Sequence, residues 1–190
     1  MIYIGSMKET DLVRLIREKD AQAMKSLYYR YVEYLIATCS RYITQEEDIK
    51  DILQDSFIKI FTSLDKFEYR GEGSLRAWMI RIVVNESLKF LKKHKELDVV
   101  QYTCDLPDCT EEENPEIDNI PNSILQEMIR QLPTGYRTVF NLYVFEKKSH
   151  KEIASILKIK ESSSASQLHR AKNMLAKKIK EYTSVKKLCL

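Results

Sequence analysis

Residues 149–175 read S-H-K-E-I-A-S-I-L-K-I-K-E-S-S-S-A-S-Q-L-H-R-A-K-N-M-L, and this stretch decides the fold of the last part of the chain. Ser149 and Glu152 have the S-x-x-E spacing of a capping box, which satisfies free backbone amides where a helix begins. A short turn at residues 158–160 then separates this helix from a second one. The pattern predicts a helix-turn-helix, which places its second helix in the major groove of DNA.

The second helix of this motif has two distinct faces, because successive residues are rotated by ~100°. Leu168, Ala171 and Leu175 share the side that we expect to be buried. The opposite side carries polar groups that can contact base edges and phosphates. These are Ser163, Ser166, Gln167, Arg170 and Asn173, flanked by Lys160, Lys172, Lys177 and Lys178. The alternative is a plain helical hairpin whose polar face contacts only water.

The rest of the chain also favours helices. Its 190 residues include only four Gly and four Pro, which argues against a turn-rich β fold. Apolar residues recur at helical spacing before and after a central segment that has no such period. We therefore predict an all-α protein of two small helical domains, joined by a flexible acidic linker, with the helix-turn-helix at its end. The domains are placed at residues 8–96 and 122–183, and the linker at residues 97–121.

Polar residues mark two helix starts within the first domain. Asp20 and Ser74 are each predicted to cap a helix. The helix after Asp20 is expected to bury Leu27, Leu35 and Ile36. The next helix has the most regular apolar stripe of the chain. That stripe consists of Ile49, Ile52, Leu53, Phe57 and Ile60.

The net charge of +3 conceals an uneven distribution. Residues 97–121 contain eight acidic residues and no Lys or Arg, which gives this segment a charge of −8. Residues 147–190 contain twelve Lys and Arg against three Glu, which gives a charge of +9. The basic end suits a polyanionic partner, whereas the acidic segment, with its three prolines, has the composition of a linker.

Several functional classes lack their signatures here. No apolar run approaches the ~20 residues that span a membrane, and the start of the chain is unlike a signal peptide, so we expect a cytoplasmic protein without membrane insertion. The sequence has no P-loop, metal-ligand cluster or nucleophile elbow, so we expect neither catalysis nor a cofactor nor a metal. The four cysteines suit free thiols, with a redox pair of Cys104 and Cys109 as the alternative.

The helix predicted after residue 47 has an outer face of acidic and amide groups. Ile58 lies off the buried stripe and beside these acids, an arrangement that suggests a surface for binding another protein. The alternative is a solvated face without a partner. The candidate surface consists of Asp48, Asp51, Gln54, Asp55 and Ile58.

Aromatic residues alternate with polar and cationic ones in the loop and helix that follow. They are Phe67, Tyr69 and Trp78, among Arg70, Arg81, Asn85 and Lys89. Rings stack on bases while cations hold the backbone, so the combination suits single-stranded nucleic acid. Gly71 and Gly73 would let the loop bend around a base. The alternative places the aromatic rings in the hydrophobic core.

Four motifs together resemble the extracytoplasmic-function (ECF) group of bacterial sigma factors, within the sigma-70 family. They occur in the order and spacing of that family. The motifs are D-I-K-D-I-L-Q-D-S-F (48–57), W-M-I-R-I-V-V-N (78–85), L-P-T-G-Y-R-T-V-F (132–140) and E-I-A-S-I-L with S-Q-L-H-R-A-K (152–172). The resemblance implies a subunit that binds core RNA polymerase, directs it to specific promoters and helps to open the DNA. The first domain would be sigma region 2 and the second sigma region 4.

The resemblance also implies partners and a role for each surface. The partners would be the beta-prime clamp and the beta subunit of RNA polymerase, promoter DNA and an anti-sigma factor. Asp48, Asp51, Gln54, Asp55 and Ile58 would bind the polymerase. Phe67, Tyr69, Arg70, Ser74 and Trp78 would hold a base flipped out of the minus-ten element, and Arg81, Asn85 and Lys89 its strand. Lys160, Ser163, Ala165, Ser166, Gln167, His169, Arg170 and Lys172 would read the minus-thirty-five element.

Three positions depart from the pattern of the family. Many relatives have Gly in the turn where Lys158 stands, a basic residue where Gln167 stands and a β-branched apolar residue where Ser164 stands. Two other classes of protein also remain open. A dimeric transcription regulator with a helical sensor domain would bind duplex DNA alone, and a helical adaptor would bind only proteins. The regulator leaves the aromatic and basic loop unexplained, and the adaptor predicts no salt-dependent binding to DNA.

Overall fold

The computed structural model describes residues 7–94, 97 and 120–188. In this part of the chain all regular structure is helical, which confirms the predicted all-α class. The α-helices are α1 (Glu9–Arg17), α2 (Ala21–Ser40), α3 (Glu46–Ser63), α4 (Ser74–Lys93), α5 (Asn122–Arg130), α6 (Thr134–Val144), α7 (His150–Leu157) and α8 (Glu161–Leu188). One 3₁₀ turn, Leu64–Lys66, extends the end of α3.

The chain divides into two compact units, Met1–Lys93 and His94–Leu190. Almost all of the segment predicted as an acidic linker, together with Cys104 and Cys109, lies outside the described residues. Each unit has its own buried core. The first unit carries the acidic helix and the aromatic loop, and the second carries the helix-turn-helix.

The first unit is built from α2, α3 and α4, with α1 packed against α2. The predicted apolar stripe of α3 is confirmed, since Ile52, Phe57 and Ile60 are all buried. Full burial of such a side chain stabilises the fold by about 1.5–3 kcal/mol. The stripe therefore fixes which face of α3 is left outside. Ile36, expected in the core, is instead 42% exposed at the surface of α2.

The two predicted helix caps of this unit have different outcomes. Asp20 caps α2, because its carboxylate accepts a hydrogen bond from the Ala23 amide at 2.7 Å. The prediction for Ser74 was wrong, because this residue is already the first of α4. Its hydroxyl accepts a hydrogen bond from the Arg70 amide at 3.2 Å and so holds the loop that precedes the helix. The reason is that the backbone turns earlier, at Gly71 and Gly73.

The second unit packs α5 and α6 against the long helix α8, and α7 against α8. Leu132, Tyr136 and Ala171 lie at the centre of this core. Arg137 is buried, and its guanidinium donates to the carbonyl oxygens of Arg130, at 2.7 Å, and Leu132, at 3.2 Å. These bonds satisfy carbonyls that a helix end leaves without partners. They fix α6 against the end of α5, next to the helix-turn-helix.

Candidate protein and nucleic-acid interfaces

The outer face of α3 forms one surface as predicted. Asp51, Gln54 and Asp55 are exposed, and Asp48 is half-buried. Ile58 lies on the same face and is 55% exposed, so an aliphatic side chain stands in water beside carboxylates. Covering such an apolar group with a partner is favourable, because it removes apolar surface from water. The five residues predicted for polymerase binding therefore share one accessible face.

A cluster of charges connects α3 with α4, and sequence reasoning missed it. The Glu86 carboxylate accepts from Lys59 Nζ at 2.7 Å and from Lys89 Nζ at 2.9 Å. Burial of Glu86 acts to raise its pKa, but the hydrogen bonds from the two lysines outweigh this and lower it. Lys89, predicted to hold DNA, thus already has a carboxylate partner. A DNA phosphate at this place would share Lys89 with Glu86 or replace it.

The ring of Phe67 does not lie where the sequence analysis placed it. It is buried, with 4% of its surface exposed, and packs against Trp78 with the ring centroids 5.2 Å apart. Trp78 itself is half-buried. Phe67 is therefore a core residue below the loop, and its ring is not available to stack on a base in this structure. The cause is the turn at Leu64–Lys66, which directs the chain inward at Phe67.

Other residues of the predicted strand-binding surface are accessible. Tyr69 is 42% exposed, and Arg70 extends into solvent, where it pairs with Glu68 at 3.1 Å. Arg81, Asn85 and Lys89 are exposed and follow one another at four-residue intervals along α4. That spacing places them in one row on the helix surface. The loop and the row together form a polar surface with one exposed ring.

Two residues of α1 hold the ends of this loop, and no local sequence pattern indicated them. Glu9 is buried, and its carboxylate accepts from Tyr31 Oη at 2.9 Å and from the Gly73 amide at 3.1 Å. Arg17 Nη2 donates to the Phe67 carbonyl at 2.6 Å. Burial, and then the bond to Glu9, raises the pKa of Tyr31 to about 12, which keeps this phenol protonated as the donor. The loop therefore has a defined conformation before any ligand binds.

The start of the helix-turn-helix is the predicted capping box. Ser149 Oγ accepts from the Glu152 amide at 3.3 Å, and Glu152 accepts from the Ser149 amide at 2.9 Å. Lys148 Nζ adds an ion pair to Glu152 at 2.8 Å. The Lys148 bond, followed by those from Ser149, lowers the pKa of Glu152 to about 2. The carboxylate is thus charged at the helix N-terminus, where negative charge is favourable.

The turn between α7 and α8 forms without glycine. Lys158 adopts the left-handed conformation, with φ 58° and ψ 42°, which glycine adopts more readily than other residues. This conformation is costly for a residue with a Cβ atom. The Ile159 amide donates to the Ala154 carbonyl at 3.1 Å, which closes the turn. Lys158 therefore takes the backbone conformation that a glycine would adopt more easily at this point of the turn.

The predicted reading face of α8 lies outward, with different degrees of exposure. Lys160, Ala165, Ser166 and Lys172 are exposed, whereas Ser163, Gln167, His169 and Arg170 are half-buried. The Arg170 guanidinium donates to Tyr136 Oη at 3.4 Å, and His169 Nε2 lies 3.1 Å from Asn173 Nδ2. These contacts connect two predicted base-reading side chains to their own unit.

Ser164 is fully buried between α7 and α8. Its hydroxyl lies 3.0 Å from His150 Nδ1, at hydrogen-bonding distance. The His150 ring stacks on Tyr143, with centroids 4.9 Å apart. This hydrogen bond connects the two helices of the motif.

Two families of known proteins match this chain, one in each of the two units. Residues 27–96 match the family model "Sigma-70 region 2", and residues 123–175 match "Sigma-70, region 4". The two models together account for more than half of the chain. Among the described residues, no group of His, Cys, Asp and Glu is arranged to hold a metal ion. None of the described helices combines the length and apolar character needed to cross a membrane.

Similarity to individual proteins extends over nearly the whole chain. The ECF RNA polymerase sigma-E factor of Haemophilus influenzae is 28% identical over 179 residues, which cover 88% of this chain and 93% of that protein. The ECF RNA polymerase sigma-E factor of Escherichia coli K12 is 29% identical over 187 residues, covering 88% and 92%. The solved structure of CnrH in complex with the cytosolic domain of CnrY is 22% identical, with a TM-score of 0.47 over 90% of this chain and 96% of that one.

Proposed function

The chain belongs to the sigma-70 family as a sigma factor of the ECF group, and on that premise we propose how its surfaces act in transcription initiation. As an RNA polymerase sigma factor, it binds core RNA polymerase, directs the enzyme to specific promoters and helps to open the DNA. We assign residues 8–96 to region 2, 97–121 to an acidic linker and 122–183 to region 4. We assign it no catalytic step of its own and place it in the cytoplasm.

We propose that the outer face of α3 binds the beta-prime clamp of the polymerase. The observation that carries this proposal is the exposed Ile58 beside Asp51 and Asp55. A partner with a small apolar patch ringed by cations would cover the aliphatic group and pair with the acids. Interfaces commonly combine an apolar centre with a polar rim in this way. Contact with the beta subunit and binding of an anti-sigma factor remain proposals drawn from family membership.

We propose two DNA-binding surfaces on the two units. Tyr69, Arg70, Ser74, Arg81, Asn85 and Lys89 would bind the opened strand of the minus-ten element, with Phe67 and Trp78 supporting the loop from below. The outward face of α8 would read the minus-thirty-five element as duplex DNA. Its residues, together with Lys160 just before the helix, are Ser163, Ala165, Ser166, Gln167, His169, Arg170 and Lys172.

Charge reversal on α3 tests the polymerase surface. We expect Asp51→Arg and Asp55→Arg to abolish binding to core RNA polymerase, because each replaces an attraction with a repulsion. Binding would be measured by fluorescence anisotropy of labelled protein, and function by run-off transcription from a library of genomic fragments. Glu33→Arg, at an exposed position of α2, is the matched control. Normal polymerase affinity in both α3 variants would exclude this surface.

Arg170→Ala tests the duplex-reading surface. We expect a loss of about 1–3 kcal/mol in discrimination between the promoter and random DNA, which is the range for a bidentate contact to a base. Affinity would be measured on both DNAs at several salt concentrations. Tyr136→Phe is the control, since it removes the hydroxyl group that Arg170 contacts and leaves the guanidinium in place. An equal loss on both DNAs would assign Arg170 to a phosphate.

A further inference from the structure

The carboxylate of Glu86 lies beside the row of polar side chains on α4 that we assign to the opened strand, and none of the roles proposed above uses it. It accepts from Lys89 Nζ through both oxygens, at 2.9 and 3.2 Å, and from Lys59 Nζ at 2.7 Å. We propose that Glu86 competes with the DNA backbone for Lys89, so that a phosphate of the strand must take this lysine from it. The inference rests on the proposed strand-binding role of Lys89 and adds an acidic residue that opposes this binding.

The position of Glu86 makes it a more effective competitor than an acid at the open surface. Its side chain is 16% exposed, and it is held from the neighbouring helix by Lys59. The other ion-paired acids among the described residues are between 50% and 78% exposed; they are Glu18, Glu68 and Glu152. Water and salt screen a sheltered charge less than an exposed one. A phosphate therefore meets a carboxylate whose attraction for Lys89 is only partly screened.

The two cations of the row differ in this respect. Arg81 is exposed and forms no ion pair with any described residue. Lys89 is also accessible, with 65% of its side chain exposed, but its ammonium group is already bonded to Glu86. A phosphate that approaches Arg81 meets only attraction, whereas one that approaches Lys89 also meets a negative charge. The two residues should therefore contribute to strand affinity in different ways, although they lie on one face of one helix.

The consequence concerns the balance between backbone and base contacts. Contacts to phosphates supply the sequence-independent part of the affinity for nucleic acid, and contacts to bases supply the specific part. By opposing one phosphate contact, Glu86 lowers the affinity of the surface for any single strand. The base contacts then carry a larger share of the binding free energy. Groups that oppose unwanted binding contribute to specificity in this way.

The test uses the complete holoenzyme, assembled from core RNA polymerase and the full chain. Wild-type holoenzyme first selects single-stranded DNA from a random library. Affinity for the selected oligonucleotide and for a scrambled one is then measured by fluorescence anisotropy at several salt concentrations, with core polymerase alone as the background. Glu86→Gln removes the charge and keeps an acceptor, whereas Glu86→Asp keeps the charge. Glu33→Gln, which removes a carboxylate from an exposed position of α2, is the control for net charge.

We expect Glu86→Gln to bind both oligonucleotides about 1.5- to 5-fold more tightly, the range for one ion pair of this kind. The gain should shrink as the salt concentration rises. Glu86→Asp should remain close to the wild type, and Glu33→Gln should change affinity less than Glu86→Gln does. The gain should be largely lost in a Lys89→Gln background and should persist in an Arg81→Gln background, because Glu86 contacts the lysine and not the arginine.

The outcomes separate this inference from the proposed function. A gain of the same size in the Lys89→Gln background would show that Glu86 does not act through Lys89, which overturns the inference. Equal affinities of Glu86→Gln and the wild type, with urea denaturation showing both to be folded, would also overturn it. If the wild-type holoenzyme neither prefers its selected strand to the scrambled one nor initiates transcription, the proposed function itself fails.

Discussion

Two short connections lead into the two helices that we assign to DNA, and they are stabilised in opposite ways. The connection before α4 turns at Gly71, with φ 114°, and Gly73, with φ 82°. It is held by side chains of α1, which lie more than 45 residues away in sequence. The connection before α8 turns at Lys158, with φ 58°. It is held locally, by the hydrogen bond from the Ile159 amide to the Ala154 carbonyl and by the bond between His150 and Ser164.

The difference teaches how each surface depends on the rest of its unit. The loop before α4 has backbone conformations that glycine adopts easily, so its shape comes from distant hydrogen bonds. The turn before α8 has strain at one lysine, so its shape comes from the regular helices on both sides. We therefore expect distant substitutions to affect the first connection and local ones the second. Four predictions examine this contrast, from the largest effect to the smallest.

Removing the Glu9 carboxylate of α1, which holds the loop before α4, should have the largest effect on stability. Glu9→Ala leaves the buried hydroxyl of Tyr31 and the amide of Gly73 without the carboxylate that accepts from both. The expected loss is about 2–3 kcal/mol in the free energy of unfolding. Urea denaturation followed by circular dichroism would measure it. Asp11→Ala, at an exposed position of α1, should change stability by less than ~0.5 kcal/mol. Equal stability of the two variants would show that α1 does not anchor the loop.

A side chain at Gly73 should have a smaller effect on the same loop. A Cβ atom placed there meets no atom within 4 Å, so the cost of Gly73→Ala comes only from the backbone, at φ 82°. We expect a loss of about 1 kcal/mol, measured by the same denaturation. Gly73→Asn should cost less, because asparagine tolerates positive φ better than alanine. An Ala variant as stable as the wild type would mean that the loop adopts another conformation.

Relieving the strain at the second connection should stabilise it. Lys158→Gly removes the unfavourable left-handed conformation of a residue with a Cβ atom, and part of this gain is offset by the greater freedom of glycine in the unfolded chain. The expected gain is about 0.5–1 kcal/mol, read from hydrogen exchange of the α7 and α8 amides. Lys158→Ala keeps the Cβ atom and should show no such gain. Slower exchange in both variants would contradict the role of strain.

The smallest of the four effects should be the weakening of the capping box at low pH. The pKa of Glu152 is lowered from its ordinary value of 4.5 to about 2 by Lys148 and Ser149. Its contribution to stability is therefore present above pH 4.5 and is lost as the pH falls toward 2. Hydrogen exchange of the first turn of α7 would measure this loss between pH 5 and pH 2. Glu152→Gln should remove it across that window, and an identical pH profile in the two proteins would contradict the assignment.

The same contrast explains what the sequence could predict. The stripe of α3, the cap at Asp20 and the box of Ser149 and Glu152 depend on residues at most a few turns apart, and the structure confirms all three. The place of the turn at residues 158–160 followed from the same local pattern, whereas the left-handed conformation of Lys158 was not predicted. Glu9, Glu86 and the burial of Phe67 depend on contacts between distant segments. No periodicity records such contacts, so Phe67 was assigned to the exposed base-binding set.

The carboxylate of Glu86 is shared between one lysine from each of the two helices that bear the assigned surfaces of the first unit. An anion that draws Lys89 away leaves Glu86 wholly to Lys59, and a ligand that engages Lys59 has the converse effect. Binding equilibria joined through a common group are reciprocal. A ligand of Lys59 on α3 and a ligand of Lys89 on α4 would thereby be thermodynamically linked through the one carboxylate that both lysines contact.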